Sequence, residues 1–185
     1  ASSDRIEISK TDVGTVSYRI TESDKVELMV SGENSTMHST FSDHWLVQGL
    51  SAAGRDALYA LGESVSVEPD QVLIEADKPN DALYVLLDGA FRVSVPKRPG
   101  REGRGTLGHR GPGDLLGEYS FIDASTPTAR VTASTAGQAL RIPHEALARL
   151  IENDVAISAV VHRNLLRYLI NRLRSQDDEL DCLML

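Results

Sequence analysis

Hydrophobic and polar residues alternate in short bursts near the start of the chain. RIEIS, TVSYRI and KVELMV, within residues 4–32, are separated by Asp-Val-Gly and Glu-Ser-Asp, the period of two that marks strands with one buried face. The pattern predicts a small antiparallel meander or arm that packs on or pairs with the larger body of the chain. SGENSTMHSTFSD, residues 31–43, is polar and rich in turn formers, so a linker is expected there. Arm and linker make a first unit over residues 1–40.

The period changes in SDHWLVQGLSAAGRDALYALG, where Trp45, Leu46, Leu50, Leu58 and Leu61 recur at helical spacing. Ser42 or Asp43 would cap the helix and Gly62 would stop it. From about residue 63 to 143 the chain reads as short strands, SVSVEPDQVLIEAD, DALYVLLDGAFRVSV, GTLGHRG and RVTASTAGQALRIP, punctuated by Pro, Gly, Asn and Asp. That is the pattern of an antiparallel roll or barrel, with Asp88-Gly89 as a tight hairpin needing positive φ. After Pro143 the chain turns helical. HEALARLIEND is short, with His144 or Pro143 near its start, and a long helix comes next whose apolar stripe is Ile157, Val160, Val161, Leu165, Tyr168, Leu169 and Leu173. The fold class is therefore mainly β with flanking helices (α+β). An antiparallel β-roll or jelly roll carries one N-terminal helix, C-terminal helices over 144–180 and an N-terminal β arm, the second unit spanning residues 41–185.

Composition narrows the chemistry. A net charge of −8 over 185 residues opposes nucleic acid and anionic membranes. The single cysteine, Cys182, permits no internal bridge and fits a reducing compartment; with no leader-like start and no run of 18 apolar residues, a cytoplasmic protein is expected. The last four residues, Cys182-Leu183-Met184-Leu185, have the C-a-a-X form behind acidic SQDDELD, so membrane attachment would require prenylation of Cys182. His38, His44, His109, His144 and His162 lack metal-ligand spacing. No nucleophile elbow or P-loop is present, and a non-enzyme is expected. The loop PKRPGREGRG, with Lys97, Arg98, Arg101 and Arg104, is a solvated loop or a grip for a phosphate-rich ligand or an acidic partner.

Two motifs in the predicted order, EADKPNDALYVLLDGAFRV and GPGDLLGEYSFI, make residues Trp45 to Arg174 resemble the cyclic nucleotide-binding domain family, the module of catabolite-activator-type regulators, protein kinase A regulatory subunits and nucleotide-gated channels. The resemblance implies a ligand site at Gly117, Glu118, Tyr119, Ser120, Pro127, Thr128 and Ala129, with Glu118 accepting from a ribose hydroxyl. It also implies that the C-terminal helix acts as lid and dimer seam. In the family an arginine in this cassette meets the phosphate. Here the position falls on Pro127, or on Thr128 if the match slides by one, and Arg130 lies on the opposite strand face. Losing a charge-assisted contact of about 1.5–3 kcal/mol lowers affinity by roughly two orders of magnitude. No cofactor is expected, and cyclic AMP or cyclic GMP only as a weak ligand. Asp77 and Asn80 stand where the family usually has glycine and tolerate left-handed backbone better than other residues.

Two readings result. One is a non-catalytic regulatory or interaction module that docks a protein partner, or a second copy, through residues 155–174. The other is a sensor that binds a cyclic nucleotide or related nucleotide in the roll and transmits it through the same helix. The helix-turn-helix that comes after the long helix in the DNA-binding members finds no counterpart in the sequence, so nucleic acid is not an expected partner.

Overall fold

The computed structural model describes residues 5–7, 17–20, 26–29, 33–96 and 105–183, with side chains over 36–96 and 105–175. Contacts divide the chain into Ala1–Thr40 and Phe41–Leu185. In the first unit β1 (Arg5–Glu7), β2 (Ser17–Ile20) and β3 (Val26–Met29) form one antiparallel sheet in that order. Ile6, Tyr18 and Leu28 stand opposite one another in register, which is what the alternating bursts require.

The segment expected to be a linker is instead largely helical, as α1 (Glu33–Ser42). Its serines, threonines and asparagine are weak helix formers. Only Met37 and Phe41 mark the helix, one turn apart and both buried, too brief a period to read. The cap expected at Ser42 or Asp43 is likewise displaced. His44 caps a short 3-10 turn over Trp45–Val47, and Ser51 caps α2 (Ala52–Tyr59), its hydroxyl accepting from the Gly54 amide at 3.1 Å.

The roll comes next as β4 (Glu63–Val67), β5 (Val72–Ile74), β6 (Ala82–Asp88), β7 (Phe91–Ser94), β8 (Gly108–Arg110), β9 (Leu115–Leu116), α3 (Glu118–Asp123), β10 (Arg130–Ala133) and β11 (Gly137–Pro143); α4 (His144–Asn153) and α5 (Val155–Leu183) close the unit. The strands make two four-stranded sheets, ordered β4-β11-β6-β9 and β5-β10-β7-β8, with antiparallel pairing throughout. The first sheet is covered on both faces. Alternate residues of β6 divide between two cores: Leu83 and Val85 pack with α2, α4 and α5, while Ala82, Tyr84 and Leu86 face the second sheet. A strand buried on both sides reads as a continuous apolar run, which explains ALYVLL.

Asp88-Gly89 is not a hairpin between paired strands. Gly89 has the expected positive φ of 89°, but β6 pairs with β11 and β7 with β10, so the turn carries the chain from one sheet to the other. A Cβ on Gly89 would stand 2.8 Å from Gly137 Cα and 2.9 Å from the Ala136 carbonyl. Asp77 adopts a left-handed φ of 61°. Asn80 does not; its amide nitrogen donates to the Ala82 carbonyl at 2.8 Å.

Candidate functional site

The turn that begins the site is built around one glycine. Gly117 has φ 83°, and a Cβ there would collide with the Ala82 carbonyl oxygen and the Asn80 amide. The chain can therefore pass from β9 into α3 only with glycine at this point. Glu118, the next residue, is buried with its side chain 3% exposed.

A cavity of about 220 Å³ opens beside this turn. Gly117, Glu118, Tyr119 and Ser120 line one side, Pro127, Thr128 and Ala129 another, and Ile74, Val93, Leu116 and Val131 form an apolar wall. All seven residues expected at the site thus meet in one space. β10 starts only at Arg130, so 127–129 are not bound by strand alternation and all three reach the cavity. Arg130 leaves it: its side chain is 45% exposed and paired with Glu75 at 2.6 Å. Tyr119 and Phe121 leave the space open, since Tyr119 lies half exposed at its edge and Phe121 packs against the His144 ring, with centroids 5.3 Å apart.

Among the described residues the cation in the cavity comes from α5. Arg172, 54 residues beyond Glu118, lines the cavity and forms a salt bridge with the Glu118 carboxylate. Its guanidinium carbon stands 5.4 Å from the Tyr119 ring centroid, within cation–π range. Burial pushes the Glu118 carboxyl up from its ordinary value, while Arg172 and, more weakly, Arg110 pull the other way. For Arg172 burial alone would lower the value, but the facing carboxylate of Glu118 prevails and raises it. Sequence reasoning missed this residue. The signal was nonetheless present: Ile157, Val161, Leu165 and Tyr168 define the face of α5 turned to the roll, and Arg172 continues that face one turn later.

Further contacts fix α5 against the turn 111–118. Tyr168 Oη donates to the Leu115 carbonyl at 3.1 Å and its ring stacks on Trp45, centroids 4.5 Å apart. Trp45 Nε1 donates to the Gly113 carbonyl at 2.7 Å, and His44 Nε2 donates to the same oxygen at 3.0 Å. His44 Nδ1 accepts from the Leu46 amide, so the neutral ring is used at both nitrogens. Desolvation by burial holds its pKa at about 4, against smaller opposing effects of Gly113 and Asp114. One turn earlier, Asn164 donates to the carbonyls of Leu46 and Gln48, both at 2.9 Å.

Among the described residues no group of three or more His, Cys, Asp or Glu could hold a metal ion, and no helix is long and apolar enough to cross a membrane. Lys97, Arg98, Arg101 and Arg104 of the basic loop, and Cys182 as a modification site, lie outside the residues whose side chains are described.

A roll of two antiparallel sheets with a glycine-glutamate turn at its cavity and a long helix across it is the architecture of a cyclic nucleotide-binding domain. Residues 64–154 match the model of that family, described as the cyclic nucleotide-binding domain, and this part of the chain belongs to it. A CRP-like cAMP-activated global transcriptional regulator of Mycobacterium tuberculosis is 28% identical over 135 residues, covering 73% of this chain and 58% of the regulator. The catabolite activator protein of Thermus thermophilus superposes with a TM-score of 0.62 at 28% identity, covering 76% of this chain and 63% of that one. A cyclic nucleotide-binding domain from Methylobacillus flagellatus gives a TM-score of 0.71 at 22% identity over 78% of this chain and 82% of its own, a likeness of fold. The chain thus spans less than two thirds of the Mycobacterium and Thermus proteins.

Proposed function

We propose that this chain is a non-catalytic regulatory module that does not take cyclic AMP or cyclic GMP in its family's usual way, and that its output surface is α5, which docks a second copy or a partner protein. The observation that carries the reading is the pairing of Glu118 with Arg172, together with the absence of any cation from the cassette: position 127 is proline, 128 is threonine, and Arg130 is engaged by Glu75 outside the cavity. Among the described residues a phosphate entering beside Pro127 would meet no charge there, and one oxygen of the carboxylate that would hold a ribose hydroxyl is already paired with Arg172. Kinship with regulators supports a regulatory role.

A second reading, a ligand sensor, is favoured by the open cavity of about 220 Å³, which side chains have not filled as a purely structural roll would allow. Titration calorimetry with cyclic AMP and cyclic GMP separates the two. The expected outcome at neutral pH is weak binding by the wild type, with Pro127→Arg about tenfold to hundredfold tighter, the equivalent of about 1.5–3 kcal/mol from one charged, forked donor. Tight wild-type binding at neutral pH would overturn the first reading in favour of the second.

A further inference from the structure

Among the described residues the charges lining the cavity come from two elements far apart in sequence, and they cancel. Arg172 gives one edge of its guanidinium to Glu118, while its Nε is buried and meets no acceptor. A guanidinium is a fork of five N–H donors that fits the paired oxygens of a phosphate or carboxylate. Here the fork is only partly used, at a cavity whose other wall is the apolar Ile74, Val93, Leu116 and Val131. A buried donor without an acceptor is unfavourable, and because Nε has no exposed surface a ligand oxygen would satisfy it only as the fork turns away from Glu118.

An arriving anion would, however, place a second negative charge beside Glu118. Two such charges at one buried cation are relieved when the carboxylate takes a proton. Burial already biases Glu118 in that direction. We propose that Arg172 is the oxyanion receptor of this cavity and Glu118 its resident competitor, so that the site takes up a small oxyanion, phosphodiester or carboxylate, together with one proton. The balance is simple: a proton passes from solvent to a Glu118 oxygen, Arg172 stays charged, and its fork transfers from Glu118 to the ligand. Among the described residues the charged and titratable groups around the pair are Tyr168 on α5, Arg110 on β8, Asp114 before β9, and Tyr119 on α3. The inference rests on the reading that the cassette itself supplies no cation.

The role assigned to Glu118 is opposite in sign to that of a carboxylate that holds a ligand hydroxyl, and this makes it testable. Calorimetry uses cyclic AMP as a phosphodiester probe and benzoate as a carboxylate probe, from about pH 8 down to about pH 5.5; whichever binds identifies the source of the oxyanion. For that probe, wild-type affinity rises by about tenfold per pH unit while one proton is taken up. Glu118→Gln binds roughly tenfold or more tightly than wild type at the upper pH, with a flat pH profile, because Arg172 is released. Arg172→Gln loses the binding and Arg172→Lys keeps part of it. A flat wild-type profile, Glu118→Gln binding no tighter than wild type, wild-type affinity in Arg172→Gln, or no binding of either probe by Glu118→Gln would each overturn the proposal. The wild-type profile needs no variant to fold. Such a failure would leave α5 as the output surface untouched, since that is measured separately by self-association.

Discussion

The two halves of α5 are held to the molecule by different physics. In the first, Ile157, Val161 and Leu165 are buried among Leu46, Val47, Leu58 and Leu147, each contributing about 1.5–3 kcal/mol by removal from water. In the second, Leu166, Ile170 and Leu173 are 60%, 46% and 58% exposed, and what ties the helix down is Tyr168, stacked on Trp45 and hydrogen-bonded to Leu115, together with the Glu118–Arg172 pair. A single neutral hydrogen bond contributes about 0.5–1.5 kcal/mol net. Apolar burial is indifferent to charge and pH, whereas an ion pair at a cavity responds to both. The first half is therefore an anchor, and the second half is where a change at the cavity can reach the helix.

The largest effect is expected where the anchor is broken. Leu165→Ala removes a side chain that is 2% exposed, and large-to-small changes at such sites cost about 2–5 kcal/mol. Denaturant unfolding should show that loss in the whole roll. If only the second half of α5 loosened while global stability held, the division between anchor and responsive half would be wrong.

A smaller, pH-dependent effect comes from the seat of the anchor. His44 caps the turn that carries Trp45 and Leu46, and its folded-state pKa of about 4 lies below the ordinary histidine value of 6.5. A group with a depressed pKa binds fewer protons when folded, so its contribution is fully present above about pH 6.5 and is lost as pH falls through about 4. The span corresponds to about 3 kcal/mol. Glu118 acts with the opposite sign: its raised pKa favours folding with the carboxyl protonated, a contribution that fades as pH rises through the folded value. Stability measured from pH 7 to pH 4 should fall for wild type and fall less for His44→Gln. Parallel curves would remove His44 as the cause.

The fold was largely legible in the sequence because its signals are local. Alternation marks the strands, glycine marks Gly89 and Gly117, and the run ALYVLL marks a strand buried on two faces. The site was legible on the cassette side for the same reason, since Gly117 to Ser120 and Pro127 to Ala129 are close in sequence and the cavity gathers all seven. Arg172 was not, because its meaning depends on where α5 crosses the roll, a tertiary fact. α1 was missed because two apolar residues, Met37 and Phe41, are too few to set a period against Ser, Thr and Asn. The Asp-Gly turn was placed but misread, because the residues that demand positive φ do not say which sheet the next strand joins.

The smallest effect on stability, and the sharpest on association, is expected on the outer face of the responsive half. Leu166, Ile170 and Leu173 succeed one another at spacings of four and three, which places them along one stripe of a helix. None belongs to either buried core of the roll, so the stripe contributes little to the fold while exposing apolar surface that a second copy could cover in the manner of a helix seam. Substituting both Ile170→Glu and Leu173→Glu should change unfolding free energy by no more than about 0.5 kcal/mol, the usual range for surface positions. The same pair of charges placed in a seam would face their copies across the interface and be desolvated there, which disfavours association. Sedimentation at high protein concentration should therefore show a wild type that self-associates and a double variant that remains monomeric with an unchanged melting curve. A wild type already monomeric at high concentration would exclude the second copy and leave a different protein as the partner of this face. A large loss of stability in the double variant would instead mean that the stripe is part of the anchor.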